Sequence, residues 1–498
     1  MLAWTIYISF IGVLVLMLLP RDAARAARFV ALFTALAGCA VAFVGAIQQP
    51  DPGTVMTIVK VPWIPAIGAN YYLAADGISL VLVVLTGLAA IAGILFSWNI
   101  EKRTKEFFAF YLALIGGVYG VFLSFDALLL FVFYELTIIP KYFLIARWGS
   151  TRKEYGAMKL ALYSFVGSHL VLIGLIATWV VARTQTGHAS LDLVELSRVA
   201  LPIGFQHWAF PLMFIGFGIL AGMWPFHTWA PTGHVAAPTA GSMLLAGVVM
   251  KLGAYGCLRV AMLLFPDGAR MWQNEIAALA VIGIVYGAGV ALVQRDFKFV
   301  IGYSSVSHMG FVLLGLATLN TIGLSGAVLQ MFSHGIIAGL LFAVVGRMVY
   351  DRTHTRDFND LQMLHLGKLL PFAGVTFVLA GVASMGLPGF SGFVAELQVL
   401  WGAWTVFPKL TLLSGVGIIV GVAYILRAWQ KAFYSDWPAD RSGHDHPLEP
   451  ISTPERFGAV MLIVASLVIG LFPGLLLNWI QPCLNSPLFE RLLKGGSL

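Results

Sequence analysis

Residues 222–234, GMWPFHTWAPTGH, set Pro225 and Pro231 inside an apolar run that is otherwise long enough to cross a bilayer. Proline lacks the backbone donor and clashes with the carbonyl four residues back, so a helix has to break here. A second interruption, GLPGFSGFVAE (386–396), holds Pro388 between glycines. One such break is as easily a packing kink, but broken spans in corresponding halves of a chain point to a transporter built from inverted repeats. Unwound backbone at membrane depth must be buried in protein or line a hydrated cavity, because lipid cannot satisfy its N–H and C=O groups.

The rest of the chain has the composition of a polytopic, all-α membrane protein. Of 498 residues 59% are hydrophobic and 11% charged, with mean hydropathy +0.88, against roughly 25% charged in an ordinary soluble domain. With about 20 apolar residues needed per crossing, fourteen spans are expected at 2–20, 28–47, 78–98, 107–124, 126–147, 157–182, 208–230, 235–264, 275–293, 299–318, 322–348, 367–405, 409–434 and 457–480. The first has no basic segment before it and RDAARAAR after it, the pattern of an uncleaved anchor.

Eighteen of the thirty Lys and Arg residues fall in alternate loops, from Arg21, Arg25 and Arg28 to Arg427, Lys431, Arg441 and Arg456, against eight on the other side. The richer side is cytoplasmic by the positive-inside rule, so both termini are expected on the outer side of a bacterial inner membrane. The net charge of +7 is thus loop charge, and no nucleic-acid partner is read from it. Cys39, Cys257 and Cys483 offer neither a disulfide framework nor a CxxC cluster motif. With no phosphate-binding glycine motif either, no cofactor or metal is expected in this chain, and any redox chemistry belongs to a partner. The polar stretch SDWPADRSGHDHPLEPISTPER (435–456) reads as a solvated cytoplasmic loop rather than a metal site.

Ionisable residues recur near the middle of successive spans. In FVFYELTIIPKYF (131–143) Glu135 and Lys141 interrupt a lipid-soluble run, Lys251 lies midway along the eighth span, and His308 and His334 occupy the tenth and eleventh. Glu396 follows the second break, and Lys159 and His169 lie along the sixth span, where both are expected to face the same part of the bundle. A charge at the bilayer centre costs at least about 2.5 to 3.5 kcal/mol. A lone histidine there is as often structural, and a terminal lysine often snorkels. The series as a whole resembles the Asp, Glu and His chains of pumps and transporters.

Five stretches, FVFYELTIIPKYFLIARWG, PFHTWAPTGHVAAPTAGSMLLAGVVMKLGAYG, DFKFVIGYSSVSHMGFVLLG, LQMFSHGIIAGLLF and GLPGFSGFVAE, resemble in this order the M-type antiporter-like subunits of proton-pumping NADH:quinone oxidoreductase (respiratory complex I). That family also includes subunits of Mrp-type cation/proton antiporters and membrane-bound hydrogenases. The resemblance implies three N-terminal helices (1–100), two inverted five-helix repeats (101–265 and 275–434) with helices seven and twelve broken, a loop (435–456), and a last helix with its tail (457–498). It implies L- and N-type membrane-arm partners and the lipid bilayer as surroundings, with flavin, iron–sulfur clusters and quinone in partner subunits. Carried over by motif, Glu135, Lys251, His308, His334 and Glu396 match the family's relay residues. The chain would then be a proton-translocating subunit coupled to quinone reduction elsewhere. The rival readings are an Mrp-type antiporter or hydrogenase subunit, and a structural subunit with an impaired relay.

The family pattern is broken at one point. Members carry a lysine seven residues before the PFHTW histidine position, and Leu220 stands there. Lys141, where methionine is usual, and His169, where an apolar residue is usual, are the candidates to compensate. On a regular helix Lys141 is about 9 Å along and about 120° around from Glu135, so a direct pair needs a break at Pro140 or an intervening water.

Overall fold

The computed structural model describes residues 1–49, 51–434 and 448–494. Most of the 435–456 loop, with its Asp and His residues, lies outside the described residues. The crossing helices are α1 (Trp4–Leu18), α2 (Ala24–Ile47), α3 (Gly77–Leu95), α4 (Thr104–Leu123), α5 (Ala127–Trp148) and α6 (Lys153–Thr186). A broken pair follows, α7 (Ile203–Ala221) and α8 (Trp229–Ala236), then α9 (Thr239–Met262), α10 (Gln273–Val293), α11 (Phe297–Ala317) and α12 (Thr321–Thr353). The second broken pair is α13 (Pro371–Ser384) and α14 (Ser391–Trp404), before α15 (Pro408–Phe433) and α16 (Thr453–Leu471). With each broken pair taken as one crossing, the fourteen expected crossings are all present among the described residues. One element was not expected: an antiparallel hairpin of β1 (Met56–Ile64) and β2 (Ala69–Ala75) between α2 and α3.

The bounds shift at the breaks. The seventh crossing runs on to Ala236, because Pro231 is the third residue of α8, in the first turn, where its missing donor costs nothing. The helix parts instead at Gly222, whose φ of 81° is left-handed, and at the cis Trp224–Pro225 bond. In the twelfth crossing Gly386 (φ 75°) and Gly389 (φ 100°) carry the turn. Glycine holds these angles without the clash a Cβ would bring.

A duplicated lock shows how the two halves are related. Asp126 caps α5 by accepting from the N–H groups of Leu128 and Leu129, and Asp192 caps the short helix Leu193–Arg198 through Val194 and Glu195. The chains beside them are cross-bonded, Ala127 N–H to the Leu191 carbonyl and Leu193 N–H to that of Phe125. The same pattern recurs when Asp296 caps α11 and Asp357 caps the helix Phe358–Met363, with Phe297 N–H donating to Arg356 and Phe358 N–H to Arg295. Each lock holds a cation, Lys60 at 2.6 Å from Asp192 and Arg356 at 3.2 Å from Asp296. The first lock lies beside the β-hairpin and the second beside Thr151, at the far end of α5 and α6, so the halves are inverted.

Both described termini lie at the hairpin face, where Leu2 packs on Gly45 at the end of α2 and Arg491 donates to the Ser197 and Val199 carbonyls. The loops rich in Lys and Arg meet on the opposite face, where Arg28 reaches the Ile100 carbonyl, Trp148 the Lys102 carbonyl and Arg356 the Thr151 hydroxyl. Not all of those charges are solvated: Lys298 is buried and donates to the Val235 and Ala237 carbonyls.

One buried ion pair ties α3 to α9. Asp76 caps α3 through the Ser79 N–H, and its second oxygen accepts from Arg259, both side chains being fully buried. Tyr255, one turn back on α9, joins Arg259 to Ser79 and to the Phe122 carbonyl. Removing one partner of such a pair strands a buried charge at a cost of about 3–5 kcal/mol, whereas replacing both by apolar groups is nearly neutral. Arg259→Met is therefore expected to lower the unfolding temperature of the purified protein in detergent, and Asp76→Leu with Arg259→Met to restore most of it. A single variant as stable as the double would contradict this.

Candidate functional site

The core of the site is the ammonium of Lys251, which is fully buried on α9. The segment Leu245–Val249 just before it is wound as π-helix, so its carbonyls bond five residues on and not four. The Lys251 side chain folds back and donates to the Ala246 carbonyl in that segment. On its other side the ammonium lies 2.6 Å from Nδ1 of His334 on α12. The close approach of α9 and α12 rests on two glycines: a Cβ on Gly335 would lie 2.7 Å from the Gly247 carbonyl.

From His334 a row of polar groups continues through the fold. Its ring centroid is 5.6 Å from that of His308 on α11. Nδ1 of His308 is 3.0 Å from Oε1 of Glu396 on α14, and Nε2 is 3.0 Å from the Ser384 hydroxyl at the end of α13. Gln330 Nε2 reaches Glu396 Oε1 at 3.4 Å. Between these groups lies a cavity of about 10 Å³, lined among others by Ser304, Ser333, His308, His334 and Glu396, which is room for about one water. Nε2 of His334 is buried with no hydrogen-bond partner among the described residues, so a water there has a donor or acceptor to meet. The second break shapes this end, because the Glu396 carboxylate lies over Gly386, where a Cβ would come within 3.1 Å of Oε2. Glu396 itself is in the second turn of α14, not at the break.

The residues expected in the first half are not gathered in this way. Glu135 is partly buried and Lys141 wholly so. They form no ion pair among the described residues, and Glu135 Oε1 and Lys141 Nζ are both buried without a hydrogen-bond partner. The helix between them is interrupted at Thr137, three residues before Pro140, as the proline ring requires. Lys159 reaches the Thr232 hydroxyl of α8 at 3.4 Å, close to the rings of Tyr155 and Tyr163. His169 faces away from the bundle and is exposed, so it does not share a site with Lys159. Leu220, where the family pattern has lysine, is buried at the end of α7, and Gly253 of α9 packs against its backbone.

Two further histidines belong to this region and were not picked out from the sequence. His227 and His234, on either side of the start of α8, are buried with both ring nitrogens unpartnered among the described residues. His234 stacks on Phe342 of α12 at 4.7 Å and His227 meets Tyr286 edge-on at 5.2 Å. Their place within GMWPFHTWAPTGH, seven residues apart, was the available signal.

The packing of Glu396 on Gly386 has a direct consequence. Gly386→Ala and Gly389→Ala both put a Cβ at a positive φ, but only the one at 386 comes against the Glu396 carboxylate, whereas a Cβ at Gly389 meets nothing within 4 Å. The carboxyl vibration assigned to Glu396 by isotope-edited infrared spectroscopy is expected to shift in Gly386→Ala and to stay in place in Gly389→Ala. Equal behaviour of the two variants would refute the contact.

Comparison with known proteins gives consistent relatives. The family described as NADH:quinone oxidoreductase/Mrp antiporter, TM matches residues 124–420. NAD(P)H-quinone oxidoreductase chain 4 1 of Synechococcus elongatus is 37% identical over 479 residues, covering 94% of this chain and 88% of the relative. NADH-quinone oxidoreductase subunit M of Escherichia coli is 34% identical over 492 residues, covering 96% of each. Among solved structures, a chain of respiratory complex I from Thermus thermophilus superposes with a TM-score of 0.88 at 26% identity, covering 99% of this chain and all of that one. A chain of the Mrp complex from Dietzia sp. has the same fold, with a TM-score of 0.84 at 21% identity, covering 99% of this chain and 97% of that one.

Proposed function

The chain belongs to the NADH:quinone oxidoreductase/Mrp antiporter family, and from that premise we propose that it is a proton-translocating membrane subunit of a complex I-type enzyme. The single observation that carries the reading is the run of Lys251, His334 and Glu396, all buried, with partly buried His308 between the last two, each within hydrogen-bond reach of the next or one water away. In its membrane arm it sits beside other antiporter-like subunits. Flavin, iron–sulfur clusters and quinone are held by partners, and quinone reduction there drives the charge movement here. The face rich in Lys and Arg is cytoplasmic and the hairpin face, with both termini, is outer.

The geometry suggests how a proton moves. The Lys251 ammonium gives its proton to Nδ1 of His334, leaving a neutral amine. The imidazole releases the proton on Nε2 into the small cavity, where one water passes it to His308. His308 hands it to Glu396, the group that exchanges with water beside the second break. The first and last transfers follow hydrogen bonds present in the fold, and the step between the two histidines needs one water in the cavity. In the first half Glu135 is the loading carboxylate, with Lys141 exchanging protons with it through water and Lys159 and His169 at the margins.

Two experiments test this on the whole complex in proteoliposomes. Lys251→Ala is expected to assemble and to pump fewer protons per electron, or to slow quinone reduction where coupling is obligatory. Normal turnover with normal pumping would overturn the relay. Lys141→Met, which restores the residue usual in the family, is expected to reduce pumping, and Leu220→Lys added to it to recover part of the loss. Full pumping by Lys141→Met alone would remove Lys141 from the path.

A further inference from the structure

Both ring nitrogens of His308 are already engaged. Nδ1 lies 3.0 Å from Oε1 of Glu396, and Nε2 lies 3.0 Å from the Ser384 hydroxyl. An ionised carboxylate only accepts, so Nδ1 carries a ring proton and donates to Glu396. Gln330 Nε2, 3.4 Å from the same oxygen, is a second donor to it. In the neutral ring Nε2 is then the lone-pair nitrogen, and it accepts from Ser384. Each ring nitrogen makes one such bond, so a water in the cavity finds neither of them open.

Ser384 is placed to fill that gap. It is the last residue of α13, two before left-handed Gly386, and it is buried and lines the cavity. A serine or threonine inside a helix commonly returns its hydroxyl proton to the carbonyl four residues back, as Thr376 on the same helix does to Phe372 at 2.7 Å. Ser384 makes no such bond, and among the described residues its hydrogen-bond partner is Nε2 of His308. The other serines of the cavity are engaged elsewhere: Ser304 accepts from the Tyr424 hydroxyl at 2.8 Å, and Ser333 pairs with Ser391 at 2.8 Å. While Ser384 donates to His308, its oxygen keeps lone pairs for a donor in the cavity. Nε2 of His334, unpartnered among the described residues, is aligned with the same space of about 10 Å³, which holds about one water.

We propose that the Ser384 hydroxyl is the group through which a proton enters His308, which makes Ser384 a further catalytic residue of the relay. The proposal rests on the reading of Lys251, His334, His308 and Glu396 as a proton path. When His334 holds the proton taken from Lys251, its ring is an imidazolium. The Nε2–H bond breaks toward the cavity water, the water passes one of its own protons to Ser384 Oγ, and the Ser384 proton crosses to Nε2 of His308. Three protons each move across one hydrogen bond, and the water and the serine are regenerated. One positive charge has then moved from the His334 ring to the His308 ring, beside the Glu396 carboxylate.

The test compares whole complexes in proteoliposomes carrying Ser384→Ala, Ser384→Thr or Lys251→Ala with the native enzyme, assembly being read from the copurified flavin and iron–sulfur subunits. Ser384→Ala is expected to slow proton pumping by roughly tenfold or more, since a positioned proton-transfer group contributes about 10²–10⁴ to the step it serves. Ser384→Thr, which keeps the hydroxyl, is expected to recover most of the loss. Native pumping in Ser384→Ala, or the same loss in both variants, would overturn the proposal. A second measurement needs no variant at position 384: isotope-edited infrared spectroscopy of ring-labelled His308 in the resting native complex is expected to find a single ring proton, on Nδ1. A resting proton on Nε2 would block entry from Ser384 and would also overturn the proposal. Native pumping by Lys251→Ala would remove the path on which the proposal rests, whereas loss there beside native pumping in Ser384→Ala confines the failure to the hydroxyl.

Discussion

A bare ammonium in hydrocarbon is among the costliest arrangements a protein can hold, and the structure around Lys251 is organised to avoid it. The π-wound turn before it turns a carbonyl toward the side chain, and the Gly247–Gly335 approach brings His334 within 2.6 Å. Neither feature is favourable alone, since a π turn is rare and glycine in a helix interior costs roughly 0.5–1 kcal/mol relative to alanine. Together they give the buried Lys251 nitrogen two polar neighbours, the Ala246 carbonyl and His334. The other groups of the proposed relay follow from the same constraint, because His334 needs a polar neighbour, as do His308 and Glu396 in turn.

The inverted repeat gives both halves the same scaffold but not the same content. The Asp126–Asp192 and Asp296–Asp357 locks share the same crossed pair of backbone bonds, though the cation sits on Asp192 in one and on Asp296 in the other, and left-handed Gly222 and Gly386 stand at the two breaks. Yet the second half holds His334, His308 and Glu396 in close succession, whereas in the first Glu135, Lys141, Lys159 and His169 form no hydrogen bonds with one another among the described residues. A scaffold duplicated within one chain leaves its two copies free to specialise. The half in which Leu220 stands at the family's lysine position is also the half in which His169 reaches the outer surface of the bundle.

Much of this was legible in the sequence, and the limits have physical causes. Hydropathy located the crossings because the bilayer imposes a length, and glycine beside proline located the breaks because those residues have few backbone choices. Pro231 was misplaced since a proline in a helix's first turn looks the same in sequence as one that ends it. Lys298 was counted as a loop charge, although the carbonyls of Val235 and Ala237 hold it buried, more than sixty residues away in sequence. The Asp76–Arg259 pair is separated by 183 residues and has no local signature. The facing of His169 was misjudged for a similar reason: a helix hydrophobic all round gives no periodicity to show which side meets the bundle. His227 and His234 were passed over although they lie in the very stretch that set the fold.

The central claim is that protons cross through the buried chain ending at Glu396, and the ratio of protons moved to NADH oxidised by the reconstituted complex tests it most directly. With Glu396→Gln, which keeps the shape and removes the exchangeable proton, the account predicts an assembled complex whose ratio falls below that of the native enzyme measured beside it. An unchanged ratio at normal assembly and turnover would contradict it.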